Sequence, residues 1–205
     1  MISSIKNLFS KEIVFKNIIF DLDGTLVDSS KGIIETFKYI LKENQINPII
    51  KIENSLIGPP LIDALRIITG IEDPNILKKL GENFKTRYDS VGYLKTNFYD
   101  EVPKLLEKLY FDGHTLYIAT NKREFAAKKI VHYFEWEKYF KNIFSLDSFN
   151  PNLRNKEDLI RNIILQENIE SKECYFIGDR LSDQAAARNN YIDFYLADWV
   201  YEKSS

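Results

Sequence analysis

Two aspartates directly after a short apolar run carry the clearest chemical signal in the sequence. Asp21 and Asp23 follow Asn17–Phe20, whose length and composition predict a β-strand. Alternation along a strand directs both carboxylates to the same side, and Gly24 permits a sharp turn immediately after them. Two carboxylates this close repel each other unless a cation or a shared proton compensates, and oxygen ligands favour Mg²⁺. The pattern therefore predicts a magnesium site at the end of a strand.

A second acidic pair follows another apolar run near the end of the chain. Asp179 comes after Cys174–Ile177 and Gly178, and Asp183 lies four residues further on. Four residues are about one helical turn, so both carboxylates can face one cation. A parallel strand presents such groups at its carboxyl end, where open α/β sheets bind ligands. The alternative is a structural role, because the helix dipole favours acids at a helix start.

Two further strings offer groups that can bind phosphate. Thr120 and Asn121 follow the apolar run Leu116–Ala119. A hydroxyl with neighbouring backbone N–H groups can hold phosphate oxygens, although Thr-Asn after a strand is also a common helix N-cap. Asn155 fits a helix N-cap, which places Lys156 at a helix start where the dipole disfavours a cation. This misfit indicates either a separate role for Lys156 or an ordinary exposed lysine.

These strings lie in a regular alternation of short apolar runs and longer amphipathic ones. Strands that alternate with helices predict an α/β protein with a parallel sheet covered on both faces. The predicted strands are residues 17–20, 115–119, 142–146, 174–177 and 193–197, and the predicted helices are residues 100–110, 123–134, 156–167 and 181–189.

The segment from about residue 31 to residue 92 interrupts this alternation. Helical periodicity predicts helices at residues 31–43, 59–68 and 74–90, with no convincing strand between them. An insertion of roughly 60 residues is too long for an ordinary connection between two elements. We therefore expect an α/β core formed by residues 1–30 and 93–205 and an all-helical cap formed by residues 31–92.

The composition narrows the class of protein. The 205 residues carry 28 Lys and Arg against 30 Asp and Glu, and a net charge of −2 lacks the basic excess of a nucleic-acid binder. A single cysteine, Cys174, excludes an intramolecular disulfide framework, and two histidines argue against a histidine-rich zinc centre. Charged residues interrupt the N-terminal run, and no stretch approaches the roughly 18 apolar residues of a transmembrane helix. We expect a cytoplasmic chain, monomeric or homodimeric, without nucleic-acid or membrane partners.

The motifs together point to a known family. Phe20–Ser29 (Phe-Asp-Leu-Asp-Gly-Thr-Leu-Val-Asp-Ser) resembles the first motif of the haloacid dehalogenase superfamily of phosphohydrolases. Thr120, Lys156 and Gly178–Asp183 are similar to its second, third and fourth motifs, in the expected order. Arg154 is the alternative to Lys156 for the third motif. The resemblance runs from about residue 16 to residue 201.

Smaller similarities indicate a branch within that superfamily. Ile57–Leu61 and Arg87-Tyr88 resemble cap sequences of its phosphoglycolate phosphatase-like members, as do the contexts of Lys156 and Trp199. Relatives usually carry glycine where Asn190 stands, and we expect Asn190 to preserve that turn at positive φ. The resemblance implies a Rossmann-like, doubly wound core with an inserted helical cap.

The resemblance also implies roles for the site residues. Asp21 would attack phosphorus to form an aspartyl-phosphate, and Asp23 would act as general acid and then as general base. An acid at position 23 favours phosphate-ester chemistry, because an alkoxide leaving group needs a proton. Thr120 and Lys156 would stabilise the transferring group. The implied phosphate-binding residues are Gly24, Thr120, Asn121 and Lys156, and the implied Mg²⁺ ligands are Asp21, the backbone carbonyl of Asp23, Asp179 and Asp183.

The resulting hypothesis is a Mg²⁺-dependent phosphatase that acts on a small phosphorylated metabolite. Phosphoglycolate, pyrophosphate, nucleotides and sugar phosphates all remain open as substrates. A phosphosugar mutase on the same core is one alternative. A non-catalytic phosphate-binding or regulatory relative is the other, and the complete set of acids argues against it.

Overall fold

Five strands form a wholly parallel sheet in the computed structural model, which describes residues 16–197 and residue 199. The strands among the described residues are β1 (Asn17–Phe20), β2 (Val27–Asp28), β3 (Asn97–Phe98), β4 (Thr115–Thr120), β5 (Phe140–Ser145), β6 (Cys174–Gly178) and β7 (Asp193–Leu196). The order in the large sheet is β5-β4-β1-β6-β7, so β1 lies at its centre. The predicted parallel sheet is therefore confirmed.

The described part of the chain contains seven α-helices: α1 (Ser30–Glu43), α2 (Leu61–Thr69), α3 (Pro74–Arg87), α4 (Val102–Phe111), α5 (Glu124–Tyr133), α6 (Lys156–Gln166) and α7 (Leu181–Asn189). Two helix starts differ from the prediction. α2 begins two residues later than expected, because the residue before a proline disfavours helical geometry and Pro60 itself is extended. α4 also begins two residues late and carries Pro103 in its first turn, where the missing N–H has no partner to lose.

Alternation along β1 gives the large sheet two apolar faces. Ile18 and Phe20 are buried in one cluster with residues of α4 and α5. Ile19, which lies between them, is buried in the opposite cluster with residues of α6 and α7. Helices therefore cover both faces of the sheet, which is the doubly wound arrangement that the sequence predicts.

The insertion between β1 and β4 forms its own apolar cluster. Phe37 of α1, Leu65 of α2 and Leu80 of α3 are almost fully buried in it. No strand occurs between residues 31 and 92, all of which the structure describes, so the cap is helical as predicted. α3 ends at Arg87, before the predicted residue 90, and a π-helical turn, Tyr88–Gly92, follows it. The exact limits of cap and core remain predictions.

The short strands β2 and β3 flank the insertion and pair with each other. Val27 lies opposite Phe98 and Asp28 opposite Asn97, in antiparallel register. Two-residue strands are too short for sequence periodicity to reveal. This pair brings the start and the end of the cap together on the core.

The turn after α7 differs from the expectation for Asn190. Asn190 has a φ of −103°, and the positive φ falls on Tyr191 instead. The Asn190 side-chain amide donates hydrogen bonds to the carbonyl oxygens of Ala186 (2.8 Å) and Glu157 (3.0 Å). Asn190 therefore links α7 to the start of α6, a role that does not need a left-handed backbone.

Two parts of the predicted core, residues 1–15 and the C-terminal positions 198 and 200–205, lie outside the described residues. Within residues 16–197 and 199, no helix has both the length and the apolar character that crossing a membrane requires.

Candidate active site

The site lies at the carboxyl ends of β1 and β6, where the order of the sheet changes direction. The chain leaves β1 for β4 on one side and returns to β6 on the other. Asp21 directly follows β1, and its backbone N–H donates to the Ile177 carbonyl oxygen at 2.9 Å. Asp179 directly follows β6. This is the place in a doubly wound sheet where ligands bind.

Three buried carboxylates meet at this point. Asp21, Asp179 and Asp183 each contribute an oxygen, and these oxygens lie within 4.8 Å of one another. Gly24 has a φ of +89°, and a Cβ there would lie 2.4 Å from a carboxylate oxygen of Asp179. A Cβ on Gly178 would lie 2.7 Å from the Asp183 side chain. Both glycines therefore make room for the carboxylates.

Lys156 lies among these acids. Its ammonium group is 2.5 Å from Asp21 Oδ1 and 3.4 Å from Asp183 Oδ1, and it donates to the Ala119 carbonyl at 3.0 Å. The Lys156 side chain is only 7 % exposed. Asn155 caps α6 through a hydrogen bond from the Asp158 N–H (2.8 Å), as predicted. The structure thus brings Lys156 to Asp21, whereas Arg154 is exposed at the rim of the cavity described below.

The electrostatics of the cluster leave an excess of negative charge. Burial raises the pKa of Asp21 to about 7, helped by the nearby Asp183 and Asp179, although Lys156 opposes this shift. Burial and Asp183 also raise the pKa of Asp179. Burial disfavours the charged form of Lys156, but the two adjacent carboxylates raise its pKa overall. Three hard oxygen donors with one compensating lysine fit a divalent cation such as Mg²⁺.

Asp23 is not part of this cluster of three carboxylates, and its side chain forms an ion pair with a different lysine, Lys122. The Lys122 ammonium is 3.0 Å from Asp23 Oδ1 and 2.9 Å from Asp23 Oδ2. Ser29 Oγ also donates a short hydrogen bond to Asp23 Oδ1. Burial lowers the pKa of Lys122, but attraction to Asp23 and to the Tyr88 hydroxyl outweighs burial and raises it overall. The carboxylate of Asp23 is thus available for a role other than metal binding.

Thr120 and Asn121 occupy the end of β4 beside the cluster. Thr120 is buried, and its hydroxyl accepts a hydrogen bond from the Lys122 N–H at 3.1 Å. The Asn121 amide donates to the Gly58 carbonyl oxygen of the cap at 2.9 Å. Asn121 Oδ1 is buried without a hydrogen-bond partner among the described residues. The structure therefore places Thr120 at the site and shows an additional contact for Asn121 with the cap.

A cavity of about 670 Å³ lies between cap and core and contains this site. Asp21, Asp23, Thr120 and Lys156 line its core side. Apolar residues line much of its cap side, among them Ile33, Phe37, Leu56, Ile57, Leu61, Phe84 and Tyr88. The volume is typical of small-molecule sites.

The core contacts the cap loop of residues 57–60 through main-chain oxygens. The Arg180 guanidinium donates a short hydrogen bond to the Ile57 carbonyl, next to the Gly58 carbonyl that Asn121 contacts. Sequence reasoning assigns no role to Arg180, Lys122 or Ser29. Their positions in the sequence could have indicated a role for two of them, because Lys122 directly follows Thr120-Asn121 and Arg180 lies between the two acids of the fourth motif.

Comparison with known proteins identifies the class. The model of the haloacid dehalogenase-like hydrolase family matches residues 18–197. The chain therefore belongs to this family, and the resemblance stated from its motifs is confirmed.

Individual relatives indicate the branch. The chain is 32% identical to a 5′-nucleotidase from Pseudomonas aeruginosa, over 87% of this chain and 80% of that protein. It is 29% identical to a phosphoglycolate phosphatase from Aquifex aeolicus, over 91% of this chain and 86% of that protein. Among solved structures, protein tyrosine kinase A from Mycobacterium tuberculosis is 28% identical, with a TM-score of 0.72 over 88% of this chain and 82% of that one. The chain is thus a hydrolase of this family whose relatives include phosphoglycolate phosphatases, in line with the branch that its cap sequences resemble.

Proposed function

We propose that this chain is a Mg²⁺-dependent phosphatase that hydrolyses a small phosphorylated metabolite through an aspartyl-phosphate on Asp21. One observation carries the proposal: Asp21 lines the cavity between cap and core next to Lys156 and two further carboxylates, and Asp23, paired with Lys122, lines the same cavity. This arrangement provides a nucleophile, a cation site and an acid in one place.

In the first step, a carboxylate oxygen of Asp21 forms a bond to phosphorus while the bond from phosphorus to the leaving oxygen breaks. Asp23 acts here in its protonated form and gives that proton to the leaving oxygen, so the product departs as an alcohol and Asp23 becomes a carboxylate. Thr120 and Lys156 hold the phosphoryl oxygens, and the Lys156 ammonium offsets part of their charge. Gly24 and Asn121 complete the proposed phosphate-binding set.

In the second step, water attacks the phosphorus of the aspartyl-phosphate and Asp23 accepts a proton from that water. The bond between phosphorus and the Asp21 oxygen breaks, and inorganic phosphate leaves. Asp21, Asp179, Asp183 and the Asp23 backbone carbonyl would hold Mg²⁺. When bound, the ion screens the repulsion between carboxylate and phosphate.

The cavity supports an organic leaving group rather than a small inorganic one. Its volume of about 670 Å³ and its apolar cap side suit a group as large as a nucleoside or a sugar. The names of the relatives, 5′-nucleotidase and phosphoglycolate phosphatase, support small phosphorylated metabolites as the substrate class. A cytoplasmic location and a monomeric or homodimeric state are proposed on the sequence alone.

A release assay tests the function. Phosphate release is measured from adenosine 5′-monophosphate, 2-phosphoglycolate, glucose 6-phosphate and pyrophosphate, with Mg²⁺ and with a chelator. We expect turnover of at least one ester with Mg²⁺ and its loss with chelator. A phospho-protein that hydroxylamine cleaves supports the aspartyl-phosphate, because hydroxylamine attacks acyl phosphates.

Two other activities require readouts added to this experiment. A phosphosugar mutase would convert a hexose phosphate into its isomer without free phosphate. With a nucleoside triphosphate and a tyrosine-containing peptide added, transfer of the terminal phosphoryl group to the tyrosine hydroxyl, with release of the diphosphate, would be an activity like the one for which the tyrosine kinase of the same fold is named. Absence of turnover on every compound would favour the non-catalytic alternative.

A further inference from the structure

The carboxylate of Asp23 is held by contacts that come from two separate parts of the chain. Lys122, from the loop after β4, reaches both of its oxygens, and Ser29, just before α1, donates to one of them. The Lys122 and Asp23 side chains are only 8 % and 11 % exposed. Because both oxygens are engaged from fixed directions, the carboxylate has one defined orientation towards the cavity that it lines.

The cap completes the surroundings of Lys122. The ammonium lies 4.8 Å from the centre of the Tyr88 ring, in the π-helical turn that follows α3. Tyr88 is 2 % exposed and stacks on Phe84, with ring centres 5.6 Å apart. An aromatic face attracts a cation and excludes water from it. The cap side of the cavity therefore keeps Lys122 on Asp23.

Lys122 differs from Lys156 in what it can reach. Lys156 contacts Asp21, where the phosphoryl group would be transferred, whereas the contacts of Lys122 are with Asp23 and Tyr88. An ammonium group that spans both oxygens of one carboxylate has little donor capacity left for a phosphate. The separation of the two lysines points to separate tasks.

We propose that Lys122 is a positioning residue that holds Asp23 in line with the leaving-group oxygen. This inference rests on the proposed function, in which Asp23 is the acid and base. It predicts that loss of Lys122 harms the step that needs the proton of Asp23 and spares a reaction that does not need it.

Leaving groups of different acidity separate these two cases. An alkyl phosphate, such as the fastest ester of the panel above, needs a proton on its leaving oxygen, whereas 2,4-dinitrophenyl phosphate releases a stable anion. With enzyme in excess and Mg²⁺ present, the rate of leaving-group release in the first turnover is measured for both compounds. We expect Lys122→Met to slow the alkyl ester by roughly 10- to 100-fold and the dinitrophenyl ester by less than about threefold.

A double-variant comparison tests whether Lys122 acts through Asp23. In an Asp23→Asn background, Lys122→Met should cause little further loss on the alkyl ester, because the group it positions is already gone. This background also removes the unpaired carboxylate that the single variant leaves behind, so it guards against a folding defect. An equal loss from Lys122→Met with and without Asp23 would overturn the proposal.

Lys141→Met is the matched control. Lys141 pairs with the nearly buried Glu167 at 2.7 Å, and neither residue lines the cavity. We expect this variant to leave both first-turnover rates unchanged. Equal slowing of both esters by Lys122→Met, or an effect on KM alone, would contradict a positioning role. A wild-type chain that hydrolyses no ester would instead remove the proposed function itself.

Discussion

The two aspartates of the first motif are two residues apart, yet each has a different lysine and a different environment. Asp21 shares Lys156 with Asp183 and lies next to Asp179, so three carboxylates meet one ammonium group. Asp23 is the one carboxylate that pairs with Lys122 among the described residues; Ser29 also donates to Asp23, and the Tyr88 ring contacts Lys122. In the first environment the carboxylates outnumber the one ammonium group, whereas in the second one carboxylate faces one ammonium group.

This difference teaches how one strand end can serve two chemical tasks. The Arg180 guanidinium lies 3.7 Å from Asp179 but is partly exposed, so it compensates little of the charge around Asp21. In the proposed reaction, a cation would favour the ionised form of Asp21 that attacks phosphorus. The ionised form of Asp23 already has Lys122 as its counter-charge. The predictions below test this division.

The largest effect should come from the nucleophile. Asp21→Asn removes the attacking oxygen, and we expect phosphate release to fall by at least about 10³-fold. The fall is measured as the steady-state rate of phosphate release from the ester of the panel that the wild-type chain hydrolyses fastest. Asp28→Asn is the control, since Asp28 is exposed and belongs to neither environment. Substantial turnover by the Asp21 variant would remove the distinction between the two aspartates.

Lys156→Met should combine a loss of activity with a loss of stability. We expect kcat to fall by about 10²–10³-fold, because the Lys156 ammonium no longer stabilises the negative charge on the phosphoryl group during transfer. Without metal at pH 8, three buried carboxylates would then lack their lysine, and the free energy of unfolding should fall by up to about 3–5 kcal/mol. Denaturant unfolding in chelator and in Mg²⁺ checks this. Failure of Mg²⁺ to restore stability would contradict a cation site here.

The wild-type chain should show a related dependence of stability on pH. The pKa of Asp21 rises on folding from 3.8 to about 7, so folded Asp21 keeps a proton that unfolded Asp21 has lost between these values. Metal-free stability should therefore decrease as pH rises from about 4 to about 7, by roughly 4 kcal/mol at most.

Mg²⁺ should reverse this trend, because it binds the ionised carboxylates. We expect Mg²⁺ to raise Tm more at pH 8 than at pH 5. Thermal unfolding with and without chelator at both pH values provides the measurement. An equal Mg²⁺ effect at both pH values would show that the ion binds elsewhere.

The smallest effect should come from the contact between core and cap. Arg180→Met removes the hydrogen bond to the Ile57 carbonyl, worth about 1.5 kcal/mol for a charged donor. We expect KM to rise by roughly tenfold with a smaller change in kcat. Arg161→Met, which removes only surface pairs with Glu157 and Asp158, is the control. A fall in kcat alone would assign Arg180 to the chemistry around Asp179 instead.

The environment of Asp21 is largely predictable from sequence, because a local sequence pattern marks each of its parts, although the parts are far apart along the chain. Acids and glycines directly after apolar runs mark the ends of β1 and β6, and Asn155 marks the helix start that places Lys156. Strand alternation and parallel pairing then bring these ends together.

The environment of Asp23 is not predictable in the same way. Its contact with Lys122 joins residues 99 positions apart, and the contact of Arg180 with Ile57 joins residues 123 positions apart. The first depends on which residue of the loop after β4 turns towards β1, and the second depends on how cap and core dock; no local periodicity reports either. The strands β2 and β3 were not predicted for a different reason: each has only two residues, which is too few to show a periodic pattern.

The links from Asn121 and Arg180 to the cap reach main-chain oxygens, and this has a consequence for how the chain can change. Carbonyl oxygens are present whatever side chains the loop carries, so substitutions at positions 57, 59 and 60 can reshape the cavity wall while both links persist. Gly58 is the exception, because its φ is +107° and a Cβ there would lie 2.4 Å from the Arg180 guanidinium carbon. Ile57 also packs in the apolar cluster of the cap, whereas Pro59 and Pro60 line the cavity. Positions 59 and 60 are therefore the place to alter the cavity wall by mutagenesis without removing either link.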